Sequence, residues 1–296
     1  MTGFLSGVIT AMITPFDGAG KVNLPEFGKM IEHQMEGGTD GIVILGTTGE
    51  PSTMTDDEKE SVIRYAVENF KGSIKIIAGT GGNDTRRAIA ASKRAESLGV
   101  DGIIAVTPYY NKCTQEGLYL YYKSICECVH IPVIAYSVPP RTGVNILPET
   151  AERIADIPNL AGIKEASGNM AQVAEIMRRI RGKADLYSGE DALNLPILAI
   201  GGAGLVSVVS NIAPARVKKM YTLVKENRLN EANEMQDCLL PLIDACFLEV
   251  NPIPVKAAYN MLGFDAGIPR PPLTELSEKC KLKLQTELNK AGLNKI

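Results

Sequence analysis

The chain has 296 residues, of which 45% are hydrophobic and 22% charged, as is ordinary for a globular protein with a sizeable core. Its 31 Lys and Arg against 34 Asp and Glu give a net charge of −3, which argues against a nucleic acid or a membrane surface as partner. The start MTGFLSGVIT has no basic region, and no run reaches the ~18 apolar residues of a membrane span. A cytoplasmic location is therefore expected.

Short apolar runs rich in valine and isoleucine recur along the chain, and their length is typical of buried strands. The eight predicted strands are Gly7–Ile13, Gly41–Leu45, Ile74–Ala78, Gly102–Val106, Pro132–Tyr136, Ala161–Lys164, Asp185–Tyr187 and Gly204–Val209. Amphipathic stretches lie between these runs and predict helices.

Capping residues indicate where the first three helices begin and end. Asn23–Glu26 resembles a capping box with proline in the first turn, and Thr55–Glu58 is a second capping box. Asn83 is predicted to cap the third helix, which Gly99 ends. The later predicted helices are Gln115–Val129, Pro148–Ala155, Met170–Arg181, Asp191–Ile200 and Ala213–Lys225.

Eight strands that alternate with eight helices predict an α/β fold with a parallel sheet. For a chain of this size the leading solution is a (β/α)8 or TIM barrel, over residues 1–227. A doubly wound open sheet is the alternative, but Thr14–Asp17 after the first strand does not resemble a dinucleotide-binding loop. Residues 228–296 predict a C-terminal helical region that packs on the barrel or forms an oligomer contact. Its predicted helices are Asn230–Val250, Ile253–Leu262 and Leu273–Leu288.

Catalytic residues of a TIM barrel lie at the carboxyl ends of the strands and in the loops that follow them. His33 lies in the first predicted helix and His130 precedes the fifth strand, so neither is predicted to serve such a site. The six cysteines lack paired metal-ligand spacing and are expected to be free thiols. Ser-His-Asp chemistry and a metal site are therefore not expected.

Lys164 ends the sixth predicted strand and is the most informative residue of the chain. Alternation places it on one face with Leu160 and Gly162, and Gly162 is expected to leave space beneath it, whereas the next residue, Glu165, points to the other face. Burial in an apolar barrel would lower the amine's pKa from about 10.4 and make it a nucleophile for a ketone. A lysine paired with a loop carboxylate is the alternative, and Tyr136 on the neighbouring strand favours the nucleophile.

Schiff-base chemistry needs groups that move protons, and no histidine is available for this task. The candidates are Tyr136, Thr47 and Tyr110, although each tyrosine could instead be a core or interface aromatic. Thr47 and Thr48 lie between glycines whose backbone could approach a small carboxylate. Arg141, in a proline-rich loop, has a guanidinium fork that suits a carboxylate, or is a solvated loop residue.

Two glycine-rich segments are alternative anion sites. Gly201–Gly204 precedes the eighth strand, which places it at the non-catalytic end of the barrel, so it more simply allows close packing of a helix on a strand. Gly79–Asn83 follows the third strand on the catalytic side and could bind phosphate at a helix N-terminus, but a role in shaping its loop is favoured.

Five segments in chain order resemble the dihydrodipicolinate synthase family, which also contains N-acetylneuraminate lyase. They are Gly46–Glu50, Thr107–Asn111, Tyr136–Gly143, Gly162–Ala166 and Asn251–Lys256, and the resemblance spans nearly the whole chain. The sugar-acid lyases generally lack the equivalent of Arg141 and commonly have serine before threonine after the second strand, so the chain resembles the synthases at both places. Ser137 stands where the family usually has asparagine, and it is expected to face away from the barrel interior.

The resemblance implies that the chain condenses pyruvate with L-aspartate semialdehyde to 4-hydroxy-tetrahydrodipicolinate, a lysine-pathway (diaminopimelate) intermediate. No cofactor is implied beyond the covalent Schiff base on Lys164. A proton relay of Tyr136, Thr47 and Tyr110 is implied, with Tyr110 reaching in from a neighbouring subunit of a homotetramer, a dimer of dimers. The residues implied to bind substrate are Thr48 and the backbone of Val206 for the pyruvate carboxylate, Arg141 for the carboxylate of the aldehyde, and Gly189.

Two alternatives remain open at this stage. One is another pyruvate-dependent aldolase of the same family that acts on a different 2-keto acid. The other is a non-catalytic barrel that binds small acids, against which the presence of Lys164, Tyr136 and Thr47 argues.

Relatives that are inhibited by lysine bind it at a subunit interface. The residues that correspond in this chain are Ser52, Asp56, Lys59, Asn83, Arg87 and Tyr109. The inhibited relatives have a histidine at the position near Lys59 and a glutamate at the position near Arg87, and this glutamate meets the ammonium group of the bound lysine. This chain has two cations at these positions instead. The sequence therefore predicts insensitivity to lysine, although Asp56 could partly offset the positive charge.

Overall fold

Eight parallel strands close into a barrel in chain order, with the last strand paired to the first. The structure, a computed structural model, describes residues 3–293. The strands are β1 Val8–Ala11, β2 Gly41–Ile44, β3 Lys75–Gly79, β4 Gly102–Val106, β5 Val133–Ser137, β6 Leu160–Glu165, β7 Asp185–Ser188 and β8 Gly204–Ser207. The closed order confirms the predicted TIM barrel and excludes the open sheet, and the strand limits differ from the predicted ones by at most two residues.

Helices follow the strands around the outside of the barrel and continue beyond it. They are α1 Leu24–Glu36, α2 Asp56–Phe70, α3 Thr85–Ser97, α4 Gln115–Cys128, α5 Pro139–Thr142, α6 Pro148–Ala155, α7 Met170–Ile180, α8 Asn194–Ala199, α9 Pro214–Lys225, α10 Leu229–Cys246, α11 Ile253–Leu262 and α12 Glu278–Lys290. The last three helices form the predicted C-terminal helical region. Its predicted boundary, between residues 227 and 228, falls in the turn between α9 and α10 and stays a prediction.

Two helix predictions on the catalytic side are wrong in detail. The side chain that caps α3 is that of Asp84, not Asn83, and it accepts a hydrogen bond from the backbone N–H of Arg86 at 2.9 Å. The predicted helix Asp191–Ile200 is divided into a 3-10 turn, Asp191–Leu193, and the short α8. Asp191 is held toward β8, because its carboxylate accepts the backbone N–H groups of the two residues that follow β8's last residue.

The final helix begins at Glu278 rather than at Leu273. The chain before it forms hydrogen bonds to the barrel, and within the segment the backbone N–H of Leu273 donates to the carbonyl of Arg270 in a turn. The backbone N–H of Arg270 donates to Glu50 at 2.9 Å, and its guanidinium donates to the carbonyl of Thr53 at 2.8 Å. These tertiary bonds explain why a helical pattern in the sequence stays irregular up to residue 277.

The interior of the barrel is apolar and is closed at the amino ends of the strands. Alternate strand residues point inward and form one buried cluster. Its buried members are Ile9, Ala11, Val43, Ile77, Ile104, Ile134, Tyr187 and Val206. Phe4 and Leu5 pack against this cluster at the amino ends of the strands. A Cβ on Gly41 would lie 2.8 Å from Leu5, and a Cβ on Gly102 would lie 2.8 Å from Phe4. The barrel therefore opens only toward the carboxyl ends of its strands.

A buried ion pair joins the C-terminal helices to the loop after β2. Lys256, in α11, donates from Nζ to Glu50 Oε1 at 2.8 Å, and the two side chains are 0% and 2% exposed. Burial lowers the pKa of Lys256 to about 8, so its ammonium stays charged at neutral pH. Glu50 has a left-handed backbone with a φ of 56° and accepts the backbone N–H of Arg270 as well. The pair therefore fixes α11 against the loop that carries Thr48.

Candidate active site

Lys164 lies inside the open end of the barrel and is only 7% exposed. It is paired in register with Tyr136 of β5 and Tyr187 of β7. Its Nζ lies 4.0 Å from the centroid of the Tyr136 ring, and no carboxylate of the described chain forms an ion pair with it. The amine therefore faces the cavity without a fixed counter-ion.

The environment of Lys164 favours the neutral amine. Burial is the main cause that lowers its pKa to about 7, and the nearby Arg141 lowers it further. The charges of Asp191 and Glu190 act in the opposite sense but are weaker than burial. At neutral pH a far larger fraction of the molecules then has the uncharged, nucleophilic form than the roughly one in 2,500 expected for a free lysine.

The space around the lysine comes from a different glycine than the sequence predicted. A Cβ on Gly162 would collide with the ring of Tyr187 at 2.5 Å, so Gly162 makes room for this tyrosine and not for Lys164. A Cβ on Gly189 would lie 2.8 Å from Cε of Lys164. Gly189 follows β7, and its lack of a side chain lets the lysine extend across the end of the neighbouring strand.

Tyr136 lies beside the amine of Lys164 and keeps its phenolic proton at neutral pH. Burial raises the pKa of its phenol to about 12, with Arg141 opposing and Glu190 adding to the shift. The phenol therefore stays protonated at neutral pH. Its hydroxyl bonds to no other group of the described chain, which leaves it available to a molecule bound at Lys164.

The loop after β2 places its two threonines differently. Thr48 is 3% exposed, and its Oγ1 accepts a hydrogen bond of 3.0 Å from Nδ2 of Asn251. Thr47 is exposed at the mouth of the barrel, and Tyr110 after β4 is 91% exposed with a φ of 68°. In this single chain no hydrogen bond connects Thr47, Tyr110 and Tyr136, so the predicted relay is not closed within residues 3–293.

Arg141 lies in the short α5 where the sequence suggested a loop. Its Nη2 donates to the backbone carbonyl of Asn251 at 3.5 Å, and within the part of the chain described it forms no ion pair with a carboxylate. Gly143 ends this turn with a φ of 69°, a conformation that favours glycine. The guanidinium is therefore held near the cavity with its charge unpaired.

Residues on the outer side of the strands do not contribute to the cavity. Ser137 faces away from the barrel interior as predicted, and its hydroxyl accepts the N–H of Ile146 and bonds to Asn145. Glu165 also points outward, where it accepts hydrogen bonds from Ser167 and from Gln172. The carboxylate next in sequence to Lys164 is thus engaged elsewhere.

Three residues near the cavity were not predicted as functional. Asp191 and Glu190 bring negative charge to Lys164, and Asn251 contacts both Thr48 and Arg141. The sequence contains only a weak signal for Asn251, which is that it begins one of the five segments that resemble the family. Neither histidine lies at this end: His130 precedes β5 and His33 packs on the ring of Phe264.

Residues 3–293 contain neither a cluster of metal-ligating side chains nor a helix that could span a membrane. No group of three or more His, Cys, Asp or Glu side chains is arranged to hold a metal ion. No helix in this range is long and apolar enough to cross a membrane.

The six residues predicted from lysine-inhibited relatives lie after β2, β3 and β4. Lys59 forms an ion pair of 3.1 Å with Asp56, so one of the two predicted cations is offset. Arg87 is exposed in α3, and the backbone carbonyl of Asn83 accepts a hydrogen bond from the Asn111 side chain at 2.9 Å. The two other residues of the six, Ser52 and Tyr109, are exposed.

The fold and the buried Lys164 are those of the barrel enzymes that form Schiff bases, the class I aldolases. Residues 4–291 match the model of the dihydrodipicolinate synthetase family. The 4-hydroxy-tetrahydrodipicolinate synthase of Caldicellulosiruptor saccharolyticus is 47% identical over 289 residues, which cover 98% of this chain and 97% of that protein. The chain belongs to the dihydrodipicolinate synthetase family.

Two solved structures from the same family are similar over nearly their whole length. One, described as a monomeric dihydrodipicolinate synthase variant, is 41% identical with a TM-score of 0.96, and the match covers 98% of each chain. The other, from Cyanidioschyzon merolae and described as having lysine bound, is 38% identical with a TM-score of 0.95 and covers 98% of this chain and 99% of that one.

Proposed function

We propose that this chain condenses pyruvate with L-aspartate semialdehyde to give 4-hydroxy-tetrahydrodipicolinate, in the biosynthesis of lysine through diaminopimelate. The observation that supports it most strongly is the buried Lys164 amine, with a pKa of about 7, beside Tyr136 in a chain of this family. The reaction uses no external cofactor, because the covalent imine on Lys164 serves as the electron sink. A cytoplasmic location is part of this proposal.

The reaction begins with attack of the neutral Lys164 amine on the ketone carbon of pyruvate. Loss of water gives the imine, and loss of a methyl proton gives the enamine. The enamine carbon then forms a bond to the aldehyde carbon of aspartate semialdehyde, whose oxygen takes up a proton. The amino group of the new chain finally attacks the imine carbon, which closes the ring and releases the Lys164 amine.

Each of these steps moves a proton, and Tyr136 is a protonated group beside the amine. The proposed relay adds Thr47 and, from a neighbouring subunit, Tyr110. The high exposure of Tyr110 and its left-handed backbone conformation support a role outside its own barrel. A homotetramer, formed as a dimer of dimers, is the assembly we propose for this reason.

The two carboxylates of the substrates have separate proposed sites. The pyruvate carboxylate is bound by Thr48, with the backbone of Val206 on β8 and with Gly189 beside it. Val206 belongs to the inner cluster of the barrel, on the same side as Lys164. Arg141 binds the carboxylate of the aldehyde, which its unpaired charge and its position near the cavity support.

The direct test of this function is to supply both substrates to the purified protein and to detect the cyclic product by mass spectrometry. Replacement of the aldehyde by other aldehydes distinguishes the proposal from a related pyruvate aldolase. Binding of pyruvate without turnover of any pair would instead support the small-acid-binding barrel.

Arg141→Ala should raise the KM for the aldehyde far more than the KM for pyruvate. Loss of a charge-assisted hydrogen bond to a carboxylate costs about 1.5–3 kcal/mol, or roughly ten- to a hundredfold in kcat/KM. Steady-state kinetics with each substrate varied in turn measures the effect. Arg181→Ala, an exposed arginine after α7, is the matched control. Equal losses for both substrates would mean that Arg141 chiefly shapes its loop.

The enzyme is proposed to be insensitive to lysine. A like charge at ~4 Å from an ammonium group costs about 4 kcal/mol at an effective dielectric constant of 20, enough to remove a millimolar affinity. Because Asp56 offsets Lys59, the argument depends on Arg87. Titration of L-lysine into the assay tests it, and half-inhibition at or below about 1 mM would contradict it. Arg87→Glu, which reverses the charge, should increase the sensitivity.

A further inference from the structure

Asn251 connects two residues that are proposed to bind different substrates. It is 5% exposed and lies just before α11. Its Nδ2 donates a hydrogen bond of 3.0 Å to Thr48 Oγ1, and its backbone carbonyl accepts one of 3.5 Å from Arg141 Nη2. It is therefore placed to influence how Thr48 and Arg141 are oriented.

The side-chain amide of Asn251 has one favourable orientation. Its Oδ1 is buried and has no hydrogen-bond partner in residues 3–293. In the opposite orientation Oδ1 would accept the hydroxyl hydrogen of Thr48, and the two N–H donors would lie at the buried position that Oδ1 now occupies. A buried N–H group without a partner is rarer in proteins than such a carbonyl, so the observed orientation is preferred.

This orientation determines what the Thr48 hydroxyl can do. A hydroxyl that accepts a hydrogen bond from an amide N–H directs its own hydrogen elsewhere. No acceptor for that hydrogen is found in the described chain. The hydrogen of Thr48 is thus free for an anion in the cavity.

We propose that Asn251 is a positioning residue for pyruvate, because it fixes the Thr48 hydroxyl as a hydrogen-bond donor to the pyruvate carboxylate. The inference rests on the proposed role of Thr48. The buried pair of Lys256 and Glu50 joins the same two segments of chain, which holds the Asn251 amide at a constant distance from the Thr48 loop. Asn251 acts through Thr48 and need not contact the reacting atoms.

Asn251→Asp tests the direction of this hydrogen bond. An ionised aspartate can only accept, so it takes the hydrogen of Thr48 and withdraws the donor from pyruvate. The half-saturating pyruvate concentration for trapping of the imine by borohydride should rise by roughly 10- to 100-fold. This measurement is made without the aldehyde, so binding of the second substrate does not enter.

A double-mutant cycle with Thr48→Val separates hydrogen-bond direction from simple repulsion by the new charge. If Asn251 acts through the Thr48 hydroxyl, Asn251→Asp should add little in the Thr48→Val background. If the two effects multiply instead, aspartate acts by charge alone and the inference is wrong. If Thr48→Val alone leaves the trapping unchanged, the proposed role of Thr48 fails and the inference fails with it.

Asn230→Asp is the matched control, because Asn230 is exposed on α10 and the same change of charge there should leave trapping unaffected. Circular dichroism checks that each variant folds. If Asn251→Asp does not fold, Asn251→Leu removes the donor without adding a charge and should raise the half-saturating concentration by about three- to tenfold. A value equal to that of the unaltered protein in either variant would overturn the inference.

Discussion

Lys164→Ala should reduce kcat for the condensation by about 10⁴-fold or more, because no other group can form the imine. No other lysine in the described chain combines burial at the open end of the barrel with a free amine, since the buried Lys256 is paired with Glu50. Lys164→Arg should lose as much activity, because the guanidinium stays protonated and is a poor nucleophile. The assay is product formation from both substrates at saturating concentrations.

Lys279→Ala serves as the control, since Lys279 is exposed on α12 and is distant in sequence from Lys164. Its activity should equal that of the unaltered protein. Loss of the nucleophile should leave far less than one per cent of the original kcat. A Lys164→Ala variant that keeps more than about one per cent would therefore show that the reaction does not need the imine.

Lys256→Met should lower the free energy of unfolding by about 3–5 kcal/mol, the cost of removing one partner of a buried ion pair. The change leaves Glu50 in the interior with the Arg270 backbone N–H as a remaining donor. Urea denaturation at one fixed protein concentration measures the loss, because assembly would make the midpoint depend on concentration.

Two variants test whether burial causes this effect. Lys290→Met breaks an ion pair with Glu287 in which the lysine side chain is 67% exposed, and it should cost at most about 1 kcal/mol. The double change Glu50→Gln with Lys256→Met should recover much of the stability, because no unpaired charge stays buried. Similar losses for the buried and the exposed pair would contradict the account.

The architecture could be predicted because the signals for it are local. Runs such as Gly102–Val106 are short, apolar and β-branched, and alternation along them already gives the inward face on which Lys164 lies. Capping boxes such as Thr55–Glu58 also act within a few residues, and the structure has both of its reciprocal hydrogen bonds.

What could not be predicted depends on contacts between distant segments. The irregular chain before α12 is held by Arg270 against Glu50 and Glu58, more than 200 residues away in sequence. The sequence predicts that Gly162 makes room for Lys164, but the space beside Gly162 is occupied by the ring of Tyr187 on the next strand. The role proposed for Asn251 likewise depends on its hydrogen bond to Thr48, which is distant from it in sequence. Periodicity and spacing contain no information about such pairs.

The measurement that tests the central claim most directly is trapping of the imine. The protein is incubated with pyruvate and borohydride, which reduces the carbon–nitrogen double bond to a stable secondary amine, and the modified residue is located by peptide mapping. The account predicts a single pyruvate-dependent adduct on Lys164, absent from Lys164→Ala. An adduct at another residue, or continued labelling of Lys164→Ala, would contradict it.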